Sequence, residues 1–384
     1  MKILVVSNNY PSLQYPARGV FVYNLVQQFC KLGHEVFVIS SQSLLTFSSK
    51  KVETYGQEQA TVYRPKTVSA SNRQIGSFNT YKVAEISQIK GIQRMVKKNN
   101  IEFDFVYAHF MMNGIGAVNA LKKYNKPFFV AIGESDLIGL TKMYPRDYFD
   151  QSIKQVQGFV AVSNKLKNQL IDFGISESSI LMKPNAVDLT KFRQRNVAEM
   201  RKKHKLPMNL KLVAFVGRFL PHKGPLRVLE AVQNLENVGV LFMGNGPQEP
   251  IGSSVVLKES VPSHIIPELL CAADIFVLPT QREGSCNAIA EAIACGLPVV
   301  SSNIPEVVDQ CHPSFSILVD PLDVKALERA IALILNNEDK REEMSKSAFE
   351  YSKNFEIGER ALSILNFIQS KLTSGTYEEN RTKL

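Results

Sequence analysis

Short runs of β-branched and aromatic residues alternate with amphipathic stretches along the first half of the chain. The runs at 3–6, 36–39, 105–108, 128–132, 159–162 and 180–183 predict strands. Their alternation with helical patterns is the signature of stacked βαβ units. After the first run, Phe21, Val22, Leu25, Val26, Phe29 and Leu32 recur at helical spacing, and Gly33 stands where a glycine ends a helix. Most of the strands run into a small or polar residue: Ser7, Ser40, His109, Gly133 and Ser163. Ligands of open α/β sheets lie just beyond the carboxyl ends of strands, so these positions are candidates for chemistry.

A second alternating set follows, with strands predicted at 212–216, 240–243, 275–278 and 299–301. Between the sets, residues 191–205 are charged, poor in apolar positions and followed by Leu206-Pro207, which reads as a linker. The pattern therefore predicts an α/β protein of two Rossmann-like domains facing across a cleft, 1–190 and 206–352. From about Asp339 the chain reads as helical to Leu372, and the polar stretch 373–384 as a disordered tail.

Composition agrees: 384 residues, 45% hydrophobic and 21% charged, suffice for two cores. No cationic leader with a cleavage site opens the chain, and no stretch nears the roughly 18 apolar residues of a membrane span. The expected location is cytoplasmic. Cysteines 30, 271, 286, 295 and 311 show no CxxC spacing, which argues against a disulfide framework and a zinc site.

Charge adds more. Residues 1–205 carry 29 Lys and Arg against 14 Asp and Glu, a net of +15, whereas the remainder carries 16 against 22, a net of −6. A basic half joined to an acidic half suggests an anionic partner, such as the inner face of a membrane or a phosphorylated acceptor. The basic clusters 97–100 and 201–205 lack interleaved aromatic residues, so nucleic acid is not expected.

The strongest chemical signal is Glu283-Gly284-Ser285-Cys286-Asn287-Ala288-Ile289-Ala290-Glu291, between a strand and the sequence EAIACGLPVV. Gly284 to Asn287 predict a tight turn, with Asn287 as a helix N-cap. The helix's first N–H groups and its dipole would suit a diphosphate. Glu283 outside the helix and Glu291 one turn inside it could each grip a pair of hydroxyls. Two glutamates at this spacing alone would more often be solvated surface. Here Gly217-Arg218 follows one strand, with Lys223-Gly224 close behind, and Gly244-Asn245-Gly246-Pro247 follows another. The two cations suit a pyrophosphate, and the glycines would let a ligand approach the backbone.

This order, GR…KG, GxGP, then EGxxNxxxEAxxxGxPVV, resembles the retaining glycosyltransferases of family 4, the glycosyl transferases of group 1, which have the GT-B fold. KILVVSNNYP…GVFVYN, VSNKLK…PNAVDLTKF and IPELLCAADIFVLP extend the resemblance over nearly the whole chain. The resemblance implies an N-terminal acceptor domain, a C-terminal nucleotide-sugar domain and a helix at 353–372 returning to the first. It implies that Arg218 and Lys223 neutralise the donor diphosphate, Glu283 binds the donor sugar and Glu291 the ribose. Gly217, Gly244, Gly246 and the backbone of Gly284, Ser285, Cys286 and Asn287 would line the donor, approached by Gly19 from the other domain. Retention is ascribed to front-face attack, with the leaving phosphate taking the acceptor's proton, and neither a metal nor a cofactor is expected. Many members carry His-Gly-x-Asp after the fifth strand. Here that segment is Gly133-Glu134-Ser135-Asp136, so the histidine is missing. His109 is the nearest substitute, and Glu134 and Asp136 could serve hydroxyls on the acceptor side.

The expected reaction is transfer from a nucleoside-diphosphate sugar, a UDP-sugar first, to a glycan or lipid-linked acceptor in cell-surface polysaccharide synthesis. The alternatives are a nucleotide-sugar epimerase or hydrolase of the same fold and a non-catalytic partner subunit. A nicotinamide dehydrogenase fits poorly, because the first βα turn lacks GxGxxG.

Overall fold

The computed structural model describes residues 1–16, 18–44, 58–68, 74–75, 78–141 and 143–381. The chain forms two compact units, Met1–Lys183 with Gly358–Leu384, and Pro184–Ile357. Each is built on one parallel sheet, and the fold class is GT-B.

The sheet of the first unit contains β1 (Lys2–Ser7), β2 (Glu35–Ile39), β3 (Thr61–Tyr63), β4 (Phe105–His109), β5 (Phe128–Ile132), β6 (Gly158–Ala161) and β7 (Ile180–Met182). Their spatial order is β7-β6-β5-β4-β1-β2-β3. All neighbours are parallel. The order reverses between β1 and β4, where Ser7 pairs with His109. Helix α1 (Val20–Lys31) buries Val22, Leu25, Val26 and Phe29 on one sheet face. Helices α2 (Thr80–Lys98) and α3 (Met111–Leu121) cover the other face.

The second sheet contains β8 (Lys211–Val216), β9 (Val238–Met243), β10 (Val255–Glu259), β11 (Ile275–Leu278), β12 (Val299–Ser302) and β13 (Ser316–Val319), in the order β10-β9-β8-β11-β12-β13. Edge strands β3, β10 and β13 are absent from the sequence reading. Thr61–Tyr63 is only three residues long, and Val255–Glu259 ends in exposed Lys258 and Glu259, so neither makes the apolar run that marks a central strand.

Residues 191–205 are not a linker. The chain changes unit at Lys183 and Pro184. Within this segment Asn196 caps the helix Val197–Lys203. Arg201, on that helix, is buried and donates to the carbonyls of Ala272 (2.9 Å) and Leu210 (3.0 Å) and to Asp274 (2.8 Å). A charged segment reads as solvated when its counter-charge lies far away in sequence, as Asp274 does.

The chain returns beside its exit. Val187 N–H donates to Phe355 O at 2.8 Å, and Ile357 N–H to Val187 O at 3.1 Å. The final helix, α4 (Ile357–Arg381), then packs Ala361, Ile364, Leu365 and Ile368 against Ile3, Val5, Phe105 and Phe129 of the first unit. It continues as helix through 373–381, where the polar composition suggests a disordered tail, because a docked segment nucleates the turns that follow it. Residues 382–384 of that stretch lie outside the described residues.

Candidate functional site

The three glycine-containing loops of the second unit leave adjacent strands β9, β8 and β11, with the reversal of strand order between β8 and β11. That is where a doubly wound sheet opens a crevice at its carboxyl edge. The loop after β8 is fixed to both neighbours. Gly217 and Phe219 N–H groups donate to Met243 O (3.0 Å) and Asn245 O (2.7 Å), and Gln281 N–H donates to His222 O (2.8 Å). Arg227 adds a staple, bonding Pro221 O at 2.9 Å and Pro279 O at 2.7 Å.

On this frame Lys223 Nζ donates to Glu283 Oε1, across a gap that the sequence could not show. Glu283 is buried and Lys223 half-buried, so the pair is shielded from water. Arg218, by contrast, stands exposed on the same loop. Burial, then the neighbouring cations Arg282 and Lys223, holds the His222 imidazole below its usual range. Three cations, Arg218, Lys223 and Arg282, thus stand near His222 together with the Glu283 carboxylate, a positive field suited to a diphosphate.

The helix that follows Glu283 spans Asn287–Ala294. It buries Ile289, Ala290, Ala292 and Ile293, while Asn287, Ala288 and Glu291 share the partly exposed face. Loss of water around the Glu291 carboxyl pushes it up to about 8. The N-cap is Cys286, not Asn287. Asn287 Oδ1 instead accepts from Asn185 Nδ2 at 3.0 Å, and Ser285 Oγ accepts from Asn185 N–H at 3.1 Å. Cys286 does not belong with the ligand-facing residues. Its N–H is taken by buried Gln310 Oε1 at 2.6 Å, and burial raises its thiol far above the usual range. The N–H groups of Asn287 and Ala288 remain without helical acceptors. Asn185, Arg227, Arg282 and Gln310 also shape this site, though no local sequence pattern marks them; Asn185 lies in the PNAVDLTKF segment.

The glycines after β9 do a different job from the one expected. A Cβ on Gly244 would overlap the Gly217 carbonyl, and one on Gly246 would meet Phe219 O at 2.5 Å. Their bareness lets two loops touch rather than making room for a ligand.

In the first unit, Gly19 is the N-cap of α1. His109 is 2% exposed, ringed by Phe21, Tyr107 and Phe110, and neither ring nitrogen has a hydrogen-bond partner among the described residues. Burial, then the charge of Arg360, pushes its pKa down to about 3. A neutral imidazole sealed in this way is a core group, which corrects the reactive role. The missing family histidine has a steric explanation: a side chain at Gly133 would run into the Phe110 ring. Glu134 is also committed elsewhere. Its oxygens accept from Met111 N–H (2.7 Å) and Gly133 N–H (3.0 Å), tying the end of β5 to the start of α3. Burial pushes it up to about 7 despite those bonds. Asp136, exposed, accepts from Ile138 N–H (3.2 Å) and Gln169 Nε2 (2.7 Å). Among the described residues no three His, Cys, Asp or Glu side chains converge as a metal site.

Comparison with known proteins bears on these two units separately. Residues 19–191 match the model of Glycosyltransferase Family 4, and 196–351 that of Glycosyl transferases group 1. The putative teichuronic acid biosynthesis glycosyltransferase TuaC of Bacillus subtilis is 27% identical, over 94% of this chain and 96% of its own. Among solved structures, a sucrose-phosphate synthase from Thermosynechococcus elongatus superposes with a TM-score of 0.78 at 15% identity, covering 97% of this chain and 100% of that one. Anabaena Alr3699/HepE, in complex with UDP-glucose, gives 0.72 at 16% identity, covering 96% and 100%.

Proposed function

Because the chain belongs to the glycosyltransferases of family 4 and group 1, we propose that it moves a sugar, with retention, from a nucleoside-diphosphate sugar to a glycan or lipid-linked acceptor. The name of its Bacillus subtilis relative supports a role in building a cell-surface polysaccharide. A UDP-sugar is the first donor to test.

The observation that carries this reading is the shielded Lys223–Glu283 pair beside exposed Arg218, at the reversal of strand order. In the proposed reaction the acceptor O–H attacks the anomeric carbon as its bond to the phosphate oxygen breaks. The proton passes to the leaving diphosphate. Arg218 and Lys223 stabilise the charge that develops there, so the proposal assigns that work to side chains rather than to a metal. Glu283 accepts from donor-sugar hydroxyls and Glu291 from the ribose diol. The N–H groups of Asn287 and Ala288 add donors at a helix N-terminus.

Titration calorimetry with UDP and UMP tests it. Arg218→Ala and Lys223→Ala should each weaken UDP about tenfold or more, the worth of a charge-assisted hydrogen bond. UMP should weaken less. Unchanged UDP affinity in both variants would remove the assignment.

The proposal extends to location: the basic first half rests on an anionic membrane face. Helix α2 supports this, since it exposes Lys82, Lys90, Arg94 and Lys97 with Val83 and Ile86, while its acid, Glu85, is buried. Among the described residues no helix is long and apolar enough to cross a membrane.

A further inference from the structure

A second pocket lies in the first unit, at the carboxyl ends of the adjacent strands β1, β2 and β3. It is formed by the loop between β1 and α1, by Ser40–Ser43 after β2, and by Arg64 directly after β3. Among the described residues, every side chain lining it carries a nitrogen or oxygen: hydroxyls, amides and two guanidiniums, with no carboxylate. Such a lining is unsuited to an apolar ligand and suited to one rich in hydroxyls.

The pocket is held in shape from within. Ser41 N–H donates to Asn8 Oδ1 at 3.2 Å, joining the loops after β1 and β2. Arg64 Nη2 donates to Pro11 O at 2.6 Å, and its guanidinium lies 5.7 Å from the centroid of the Tyr10 ring. Glu58 stands 3.8 Å from Arg64, outside the lining, and balances that charge. Among the described residues Arg18 has no such balance: it is exposed, and its bond is a long one from Nε to Asn9 Oδ1, 3.4 Å. The pocket therefore keeps one uncompensated positive charge at its rim. Tyr10 lines the pocket and is 2% exposed, yet its hydroxyl has no hydrogen-bond partner among the described residues. A buried hydroxyl left unpaired is costly, and a bridging water would satisfy it.

We propose that this pocket binds an anionic, hydroxyl-bearing sugar unit of the acceptor, with Arg18 reading its carboxylate or phosphate and the pocket wall its hydroxyls. The inference rests on the glycosyl-transfer reading above and deepens it, because it names the chemistry of the acceptor. An acceptor presented this way would be a growing chain with acidic or phosphorylated residues, made by reactions that install a uronate or a sugar phosphate.

Titrations of the full chain with a galacturonic acid trisaccharide, glucose 6-phosphate and neutral maltotriose test it, each with and without UDP. At least one charged probe should bind about tenfold tighter than maltotriose, as one charge-assisted contact requires. The tighter of the two charged probes identifies carboxylate or phosphate as the group read. Arg18→Ala should abolish most of the preference and leave UDP affinity unchanged, while Arg18→Lys should keep part of it. Because Arg18 is exposed, these variants should fold, and a matching melting temperature checks that. Equal binding of charged and neutral probes, no binding of either charged probe at millimolar concentration, or a preference that survives Arg18→Ala overturns the inference. If UDP, GDP and ADP all fail to bind the wild-type chain, the transfer reading falls instead, and the two failures are distinguishable.

Discussion

Glu283 and Glu291 are near neighbours in sequence but stand in different surroundings. Glu283 faces a cation, whereas Glu291 has lost its water without gaining one and is pushed up to about 8. If Glu291 grips the ribose diol as a carboxylate, it must lose its proton on binding. UDP affinity should then rise with pH, about tenfold per unit below the pKa, and level off above about 8. Calorimetry across that range checks the slope, and Glu291→Gln should flatten it. Glu283→Gln should lower turnover about tenfold to a hundredfold by weakening a hydroxyl contact. It should not weaken UDP, because it frees Lys223 for the phosphate; a rise in the UDP dissociation constant would count against the division of roles. The residues that sequence reasoning misread at this scale share one cause. His109, Glu134 and Cys286 are all of chemically active types at strand or helix ends, but each is claimed by a buried neighbourhood drawn from elsewhere in the chain.

At the scale of elements, the site depends on loops that touch. The loop after β9 reaches the loop after β8 only because Gly244 has no side chain to meet the Gly217 carbonyl. Gly244→Ala should destabilise the protein by about 2–3 kcal/mol, in the range of overpacking. Gly252→Ala is the control, since its nearest neighbour would be Leu229 at an ordinary 3.5 Å. Thermal or urea unfolding compares the two, and equal stability would show that the loops can part without cost. The central strands were legible because burial on both faces leaves an uninterrupted apolar run. Edge strands β3, β10 and β13 were not, since one flank meets solvent and the pattern fades into that of a loop. The polar first-unit pocket was equally hidden: Ser40, Ser41 and Arg64 become neighbours of Tyr10 and Arg18 only when three strands align their ends.

At the scale of the molecule, the proposed membrane contact assigns part of the basic charge to helix α2. The exposed cations of α2 share one helix face with Val83 and Ile86, so binding to anionic vesicles should combine salt-sensitive attraction with shallow apolar contact. Sedimentation with phosphatidylglycerol vesicles should fall as salt rises, and Lys90→Glu with Arg94→Glu should lower it at low salt. Binding indifferent to salt, or none at low salt, would sink the membrane assignment. The sequence by itself determined the alternation of strands and helices, the two units, and the order of cations, glycines and glutamates along the second. These are local patterns, set by which positions face the core and by the residues that turns and helix starts require. Tertiary structure alone decided which groups remain available. Gln310 takes the N–H of Cys286, Phe110 fills the space above Gly133, Asp274 buries Arg201 within the supposed linker, and Lys223 meets Glu283. A hydrogen bond or a steric contact is settled by its partner, and these partners are brought together by packing rather than by the local sequence pattern.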